Sequence, residues 1–401
     1  METTTYKISD IGEVVGGGTP STANSDFWGG DIPWISPKDL TGYKSVYISH
    51  GESFLTKTGL KSGTKLLPKG TVLFSSRAPI GYVAIASNPI CTNQGFKSII
   101  CNKEIINPLF LYYYIKGNLD YIKLFGTGAT FPEISGAAMR KIKVQIPTLP
   151  TQQKIASILS TYDRLIENNT RRIRLLEQMA ENLYKEWFVR FRFPEHEKVE
   201  MINGLPKGWK RTKLIKNIKT SSGGTPSRNK GEYYKNGTIP WIKTGELQDC
   251  ILINTEECIT EDAVNNSSAK LFPKGTLLMA MYGVNVGKLG ISEIEATCNQ
   301  ACCVFTPKQI DYKYYLFHYL KSIREYLLSI SFGAAQQNLS QELIKSIRVL
   351  FPDEKTNISF VKEVEPLFKE ISIIQQQNQL LTRQRDLLLP RLMSGKLEVK
   401  S

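Results

Sequence analysis

The stretch PTQQKIASILSTYDRLIENNTRRIRLLEQMAENLYKEWFVRF, from Pro150 to Phe191, decides the fold of this chain. After Pro150 no proline or glycine interrupts it, and apolar residues recur every seven positions, which is typical of a coiled-coil helix. At about 1.5 Å per residue, about forty residues make a helix roughly 60 Å long. Such a helix needs a partner that covers its apolar stripe. The predicted seam consists of Ile155, Tyr162, Asn169, Leu176 and Leu183.

A second stripe lies near the end of the sequence, between Phe360 and Leu388, and it predicts the partner helix. Asn378 stands inside this stripe as Asn169 does in the first, and a polar seam residue often fixes the register of a coiled coil. Pro366 predicts either a kink or a helix start close to it. The alternative is that each stripe is the core-facing side of a helix in a globular domain. Besides Asn378, the predicted seam of this helix contains Leu367, Ile374 and Leu381.

Residues 1–150 and 201–352 repeat one another, motif after motif, in the same order. Most motifs keep an offset of about 206 residues, and we match the pair Tyr113–Tyr114 to Tyr314–Tyr315. The chain is therefore a tandem duplication of one globular domain followed by one long helix. The recurring motifs are GGTPS at 17–21 and 223–227, IPWI at 32–35 and 239–242, PKGT at 68–71 and 273–276, and Asn-Gln at 93–94 and 299–300.

These patterns predict a mixed α/β (α+β) fold with two tandem domains joined by two long antiparallel helices. The helices would form a coiled-coil spacer with a pseudo-two-fold axis. Each domain begins with short strands and continues with a helix, Pro108–Lys123 or Tyr312–Ser329. The predicted segments are domain 1 at 1–150, the central helix at 151–192, a linker with domain 2 at 193–352, and the distal helix with a tail at 353–401.

The net charge of +14 is concentrated in the two domains. Residues 1–150 carry 15 Lys and Arg against 10 Asp and Glu, residues 201–352 carry 19 against 12, and the helices are almost balanced. Basic domains on neutral helices indicate a polyanionic partner, although a generally basic surface is the alternative. The absence of a long apolar run or an apolar leader leads us to expect a cytoplasmic protein without a membrane span. Three His and seven Cys without a CxxC pair make a metal site unexpected.

The whole sequence resembles the specificity (S) subunit of type I restriction–modification systems. The resemblance is carried by the central stretch IPTLPTQQKIASIL with the following helix, by the distal LLLPRLMSGKL at 387–397, and by the paired GGTPS and IPWI motifs. The second helix departs from the family pattern, because FPDEK at 351–355 replaces its Pro-Leu-x-x-Gln start. This departure puts the start of that helix and its partner contacts in doubt.

The resemblance implies a non-catalytic subunit whose two target-recognition domains each read one half of a bipartite, asymmetric DNA sequence. The helices would set the gap and dock two methyltransferase (M) subunits, and restriction/translocase (R) subunits would complete a nuclease. This chain would hold no cofactor; S-adenosylmethionine, ATP and Mg²⁺ would belong to the partner subunits.

We expect contacts to double-stranded DNA from loops of both domains. Hydroxyls and an arginine in the GGTPS loops suit phosphate contact, although a structural turn is the alternative. An arginine pairs with guanine, whereas Gln and Asn suit adenine, so the two domains should read different sequences. Trp34 and Trp241 are assigned to core packing. The candidate DNA-binding residues are Thr19, Ser21, Lys38, Arg77, Thr127 and Thr130 in domain 1, and Thr225, Ser227, Arg228, Lys243, Tyr282, Gln336, Gln337 and Asn338 in domain 2.

Sequence fragments that suggest an enzyme are better explained by structure. Asn107 before Pro108 reads as a helix N-cap rather than a methyltransferase motif, and Asp353 and Glu354 read as a helix cap and charge. Two rival interpretations remain, a structural adaptor whose domains bind protein and a self-contained methyltransferase–nuclease. Trp187, Phe188 and Phe191 either pack on domain 2 or dock a methyltransferase.

Overall fold

The computed structural model describes residues 2–128, 132–330 and 338–399, and these residues fall into two compact units. Unit 1 combines Met1–Asn168 with Asn378–Ser401, and unit 2 is Asn169–Gln377. Each unit therefore contains one globular domain and parts of both long helices. The predicted mixed α/β class with two tandem domains and two long helices is confirmed.

Unit 1 is built around a five-stranded sheet of order β2-β9-β6-β7-β4, beside a three-stranded sheet β5-β3-β8 and a two-stranded pair β1-β10. Its elements are β1 (Thr4–Lys7), α1 (Ile8–Ile11), β2 (Gly12–Gly16), β3 (Trp28–Ile35), β4 (Tyr47–Ile48), β5 (Ser53–Leu55), α2 (Lys57–Lys61), β6 (Val72–Phe74), β7 (Val83–Ala86), β8 (Cys91–Thr92), β9 (Lys97–Cys101), α3 (Pro108–Gly117), α4 (Leu119–Lys123), α5 (Gly136–Lys141), β10 (Lys143–Ile146) and α6 (Leu149–Tyr184), which continues as a π-helix at Lys185–Val189 in unit 2.

Unit 2 repeats this topology with a five-stranded sheet β14-β21-β18-β19-β16, a three-stranded sheet β17-β15-β20 and a pair β13-β22. An additional hairpin, β11-β12, precedes them. The elements are β11 (Met201–Ile202), β12 (Leu205–Pro206), β13 (Lys210–Lys213), β14 (Ile218–Ser222), β15 (Ile239–Ile242), β16 (Cys250–Leu252), β17 (Cys258–Ile259), α7 (Glu261–Asn265), β18 (Leu277–Ala280), β19 (Leu289–Ser292), β20 (Thr297–Cys298), β21 (Cys302–Pro307), α8 (Lys313–Ser322), α9 (Arg324–Ile330), α10 (Gln341–Ser346), β22 (Arg348–Phe351) and α11 (Glu354–Met393).

The secondary structure fixes the register of the duplication. The helices α3 and α8, the strands β10 and β22, and the starts of α6 and α11 are all displaced by the same offset of 205 residues, since 108 becomes 313 and 149 becomes 354. This offset matches Tyr113 to His318 and Tyr114 to Tyr319. The predicted match of Tyr113–Tyr114 to Tyr314–Tyr315 is therefore wrong by four residues, because aromatic side chains crowd both helices.

The domain helices are shorter than predicted. A break at Asn118 separates α3 from α4, because its backbone leaves the helical region and its side chain donates to the carbonyl of Tyr114 at 2.9 Å. In unit 2 a break at Ile323 separates α8 from α9.

The distal helix α11 extends beyond the apolar stripe Phe360–Leu388 at both ends and passes through Pro366. A helix start at Pro366 is therefore wrong. The cap lies at Asp353, whose carboxylate accepts from the backbone N–H of Thr356 at 3.0 Å and from its hydroxyl at 2.7 Å. This confirms the capping role predicted for Asp353, and the replaced family motif still begins a helix.

The two long helices pack against the core of each unit. In unit 1, Ile155, Leu159 and Leu392 belong to the same buried cluster. In unit 2, Trp187 contacts Phe360 with ring centroids 5.7 Å apart, and Arg172 pairs with Glu370 at 2.7 Å, so the helices run antiparallel. Of the predicted seam residues, Ile155, Asn169 and Ile374 are buried. The half-buried ones are Tyr162, Leu176, Leu183, Leu367, Asn378 and Leu381.

In the part of the chain that the structure describes, no helix is both long enough and apolar enough to cross a membrane.

Candidate nucleic-acid interface

The glycines of both GGTPS loops are closely packed against neighbouring backbone. A β-carbon on Gly17 would lie 1.9 Å from the carbonyl oxygen of Asn93, and one on Gly223 would lie 2.0 Å from that of Cys298. The next glycine of each loop donates its N–H at 2.8 Å, Gly18 to Thr92 and Gly224 to Cys298. These two N–H groups are used inside the fold, so the glycines form a structural turn and do not offer these N–H groups to a ligand.

The tryptophans of the IPWI strands form hydrogen bonds to these turns. Trp34 and Trp241 are 9% and 2% exposed, which confirms their assignment to the core. Each indole N–H donates at 3.0 Å to the second glycine carbonyl of its GGTPS loop, Gly18 or Gly224. The two recurring motifs are thus parts of one hydrogen-bonded structure, which explains why they recur together.

A short turn connects this structure to the other loops. In unit 1 the turn is Asn93–Gly95: the N–H of Asn93 donates to Ile35 at 2.9 Å, and the carbonyl of Gly95 accepts from Ser76 at 2.7 Å. In unit 2 Asn299 donates to Ile242 at 2.9 Å, and Ala301 accepts from Met281 at 2.8 Å. In each unit the same backbone hydrogen bonds therefore hold this turn beside the GGTPS loop, the end of the IPWI strand and the loop between the two central strands.

These bonds also settle which residues are equivalent in the loop between the two central strands. Ser76 accepts from the N–H of Ile134 at 3.0 Å, as Met281 does from Leu339 at 2.8 Å. Arg77 and Tyr282, one residue later, are therefore counterparts. The loop of unit 2 is one residue longer, because Gly81 donates to Ser75 across five intervening residues and Gly287 donates to Ala280 across six.

In unit 1 this loop carries a charged cluster. Arg77 pairs with Glu133 at 3.3 Å, and Lys97 pairs with the same carboxylate at 3.2 Å. Backbone bonds of 3.0 and 2.9 Å join Glu133 to Thr127, so this candidate lies at the same place. The Thr19 hydroxyl donates to the side chain of Gln94. Arg77, Thr127 and Thr19 are thus linked through the turn at 93–95 and the backbone pair of Thr127 with Glu133.

In unit 2 the charged cluster lies at the GGTPS loop instead. Arg228 pairs with Glu257 at 2.8 Å, and its guanidinium lies 4.3 Å from the ring centroid of Tyr234 and 5.0 Å from that of Trp241. Lys243 lies 3.8 Å from Glu257 and pairs with Glu256 at 2.9 Å. The hydrogen bond from Arg228 lowers the pKa of Glu257, so the cluster stays ionised at neutral pH. At the position of Arg228 unit 1 has Thr22.

The remaining candidates are distributed around these clusters. Lys38 is exposed and pairs with Glu52 at 2.9 Å. Ser21, Ser227 and Asn338 are exposed, and Thr225 is half-buried. Thr130, Gln336 and Gln337 lie outside the described residues.

Sequence reasoning missed four residues of this surface. Gln94 and Gln300 are exposed at the tip of the connecting turn, and Lys97 binds the carboxylate that Arg77 binds. Val284 is fully exposed beside Tyr282. The recurrence of Asn-Gln in both domains was the available signal for the two glutamines, whereas Lys97 and Val284 lie at positions that nothing in the sequence distinguishes.

The equivalent helices α3 and α8 make different side-chain contacts in the two units. In unit 1 the hydroxyl of Tyr113 donates to Asp163 of α6, and Asp163 also accepts from Arg385 of α11. At the shared offset the counterparts in unit 2 are His318, Phe368 and Ala180, so the ion pair has no equivalent. Among the described residues, neither ring nitrogen of buried His318 has a hydrogen-bond partner. Burial lowers the pKa of His318 to about 3.

The structure also bears on two further predictions, the cap at Asn107 and the packing of the aromatic residues at the end of α6. Asn107 caps α3 by accepting from the N–H groups of Leu109 and Phe110 at 2.9 and 3.0 Å, as predicted. Trp187 and Phe188 are buried, and Phe188 packs on Trp209 and Tyr315. Phe191 also packs on Trp209, with centroids 5.5 Å apart. These aromatic residues therefore pack on domain 2.

Across the described ranges, no three His, Cys, Asp or Glu side chains are grouped so that they could hold a metal ion. The seven cysteines are free thiols.

The sequence matches the family described as "Type I restriction modification DNA specificity domain" twice, at residues 1–178 and 206–383. It is 36% identical over 405 residues to the MjaIX type I restriction enzyme specificity subunit of Methanocaldococcus jannaschii, covering 98% of this chain and 93% of that protein. It is 26% identical to the HindI specificity subunit of Haemophilus influenzae, over 83% of this chain and 88% of that one. The type I restriction–modification S subunit from M. genitalium shares the fold, with a TM-score of 0.64 at 17% identity, covering 100% of this chain and 97% of that structure.

Proposed function

The chain belongs to the type I restriction–modification DNA specificity family, and we propose that each of its two domains reads one half of a bipartite, asymmetric DNA target. The observation that carries this proposal is one backbone scaffold with two different sets of exposed side chains. The turn at Asn93 and the turn at Asn299 make the same hydrogen bonds. The loops above them display Arg77 in unit 1 and Tyr282 in unit 2. Identical scaffolds hold the DNA in a similar way, and different side chains select different bases.

Phosphate contacts would come from the cations at the edges of this surface. Lys38, Lys243 and Arg228 are each paired with a glutamate in the free protein. Exposed ion pairs contribute little to stability, so a phosphate group can replace the glutamate at small cost. Binding should therefore weaken steeply with added salt, which the adaptor interpretation does not predict.

The long helices would set the gap between the two halves and dock two methyltransferase (M) subunits. Both helices expose large apolar residues that step by seven: Ile158 and Leu165 on α6, and Ile373, Leu380 and Leu387 on α11. Exposed apolar rows of this kind typically mark protein contacts. Restriction/translocase (R) subunits would join the same complex.

We assign no catalytic step to this chain. Adenine methylation with S-adenosylmethionine, and ATP- and Mg²⁺-dependent cleavage, would be carried out by the partner subunits. Binding of S-adenosylmethionine by the isolated chain would contradict this assignment and favour the methyltransferase–nuclease interpretation.

The proposal is tested by mapping methylated adenines across the genome of cells that carry this chain and its methyltransferase partner, with and without a deletion of this chain. The expected result is a bipartite motif with an unspecified gap, methylated only when the chain is present. An unchanged methylation pattern after deletion would contradict the proposal and favour the adaptor.

A further inference from the structure

Val284 occupies an unusual position in unit 2. Its side chain is 104% exposed, at the tip of the loop between β18 and β19. A single exposed valine needs no explanation on most surfaces. This valine lies two residues from Tyr282, in one of the loops that form the candidate interface.

The fold holds the tip in place from both sides. The side-chain amide of Asn285 donates to the carbonyls of Thr244 and Gly245 at 3.1 and 3.0 Å. Arg324 donates from Nε to Gly287 at 2.9 Å. Val286, by contrast, is buried. The exposed position of Val284 is therefore fixed by the surrounding hydrogen bonds.

A glycine shapes the turn that presents the valine. Gly283 has φ +83°, in the left-handed region that favours glycine, and a β-carbon there would meet nothing within 4 Å. Glycine is therefore needed at position 283 for its backbone conformation, and the turn that it makes lets the next residue project from the loop.

Charge around the tip indicates which way DNA would approach. Asn285 ties the tip to the segment that follows Lys243, and Lys243 and Arg228 share Glu257. Cations that suit phosphates thus flank an apolar tip. The corresponding loop of unit 1 presents Arg77 and is one residue shorter. The difference is chemical, because a guanidinium donates hydrogen bonds to a base edge and a valine cannot.

We propose that Val284 is a sequence-reading residue of unit 2 and that it contacts the C5-methyl group of a thymine in the half-site bound by that unit. Among the groups displayed in the major groove, the thymine methyl is the one that an apolar side chain can recognise. This inference rests on the proposed function and names one determinant of its specificity.

The test uses the full chain assembled with its methyltransferase partners and duplexes that carry the mapped target. Each thymine of the half-site read by unit 2 is replaced in turn by uracil, which lacks the methyl group. At one position, uracil should weaken binding of the unmodified protein about fourfold, the factor expected for one buried methyl group. Val284→Ala should bind the thymine duplex about as weakly and should no longer distinguish uracil from thymine there.

Two controls separate this effect from a general loss of binding. Leu271→Ala removes another exposed apolar side chain of unit 2 and should leave the uracil effect intact. Uracil in the half-site read by unit 1 should affect unmodified protein and Val284→Ala equally.

The inference would be overturned if Val284→Ala kept its full discrimination against uracil, if no position responded to uracil, or if the half-site contained no A·T pair. In each of these cases the proposed function would stand, provided that replacing residues 201–352 still changed one half of the target. If the complex instead showed no sequence preference at either half-site, the proposed function itself would be contradicted.

Discussion

Tyr113 in unit 1 and His318 in unit 2 occupy the same position on equivalent helices, yet their surroundings differ. Tyr113 donates to a carboxylate that also binds Arg385, whereas Phe368 and Ala180 stand at the places of that ion pair around His318. The surfaces above these helices keep the same backbone hydrogen bonds. The two units therefore share the backbone hydrogen bonds that hold the loops. They differ in the contacts of the helix residues Tyr113 and His318 and in the exposed side chains of the loops.

The buried ion pair should produce the largest effect. Asp163→Ala leaves the largely buried guanidinium of Arg385 with only the carboxylate of Asp386 as its partner, and we expect a loss of about 3 kcal/mol in the stability of unit 1, at the low end for a broken buried ion pair. Chemical denaturation of the full chain measures the loss, and hydrogen exchange in α3 assigns it to unit 1.

The matched control gives unit 1 the residues of unit 2. Asp163→Phe combined with Arg385→Ala removes both charges, so it should cost less than Asp163→Ala alone. An equal loss in the two variants would show that packing, and not the buried charge that has lost its Asp163 partner, determines stability at this position.

The second effect is a pH dependence confined to unit 2. The pKa of His318 is about 3 in the folded chain, below the ordinary value of about 6.5 that applies after unfolding. The unfolded state therefore takes up the proton first, and stability falls as the pH drops below about 6.5. At pH 5 this loss is about 2 kcal/mol.

His318→Phe should remove this part of the pH dependence, as measured by urea denaturation at pH 5 and pH 7.5 followed by tryptophan fluorescence. His50→Asn, which changes an exposed histidine of unit 1, serves as the control and should leave it in place. Retention of the full pH dependence in His318→Phe would exclude His318 as its source.

At the reading surface the two units should fail independently. Arg77→Ala should weaken binding roughly 5- to 150-fold and relax selectivity in the half-site of unit 1 only, because one bidentate base contact contributes about 1–3 kcal/mol. Tyr282→Ala should affect the other half-site only. Binding to duplexes with one half-site altered at a time measures both.

Arg77→Lys sharpens this comparison, because it keeps the charge and loses the planar fork that pairs with guanine. It should resemble Arg77→Ala in selectivity. If Arg77→Ala relaxed both half-sites equally, Arg77 would be a general DNA contact.

The smallest effects should come from the lysines. Lys38→Ala and Lys243→Ala should each weaken binding uniformly across sequences and reduce the slope of log affinity against log salt by about one. A titration at several salt concentrations measures this slope. A change of sequence preference in either variant would contradict the assignment to phosphate.

Much of the architecture could be predicted because it follows from periodic patterns. Seven-residue spacing indicated both long helices, and repeated motifs indicated the two domains. The cap at Asp353 lies outside the apolar stripe, but a carboxylate directly before the helical pattern predicted the start of α11. The aromatic match failed because Tyr315 and Tyr319, on neighbouring turns of α8, look alike in the sequence, and only the helix bounds reveal that Tyr113 corresponds to His318.

The candidate site could be predicted only at the level of its loops. The recurrence of GGTPS and IPWI pointed to segments that the structure brings together, but the glycines and tryptophans that make these motifs recognisable serve the scaffold. Residues that differ between the units, such as Arg228 and Val284, are by definition not part of a repeated motif, so the repeat could not identify them. Their surroundings depend on partners distant in sequence, Glu257 for Arg228 and the segment at Thr244 for the Val284 loop.

The central claim, that each unit reads its own half of the target, is tested most directly by exchanging one domain. Residues 1–150 are replaced by the corresponding domain of a relative with a known target, and methylated adenines are mapped in cells that also carry the methyltransferase partner. The account predicts that one half of the motif changes to that of the donor while the other half and the gap stay the same. A change in both halves would contradict it.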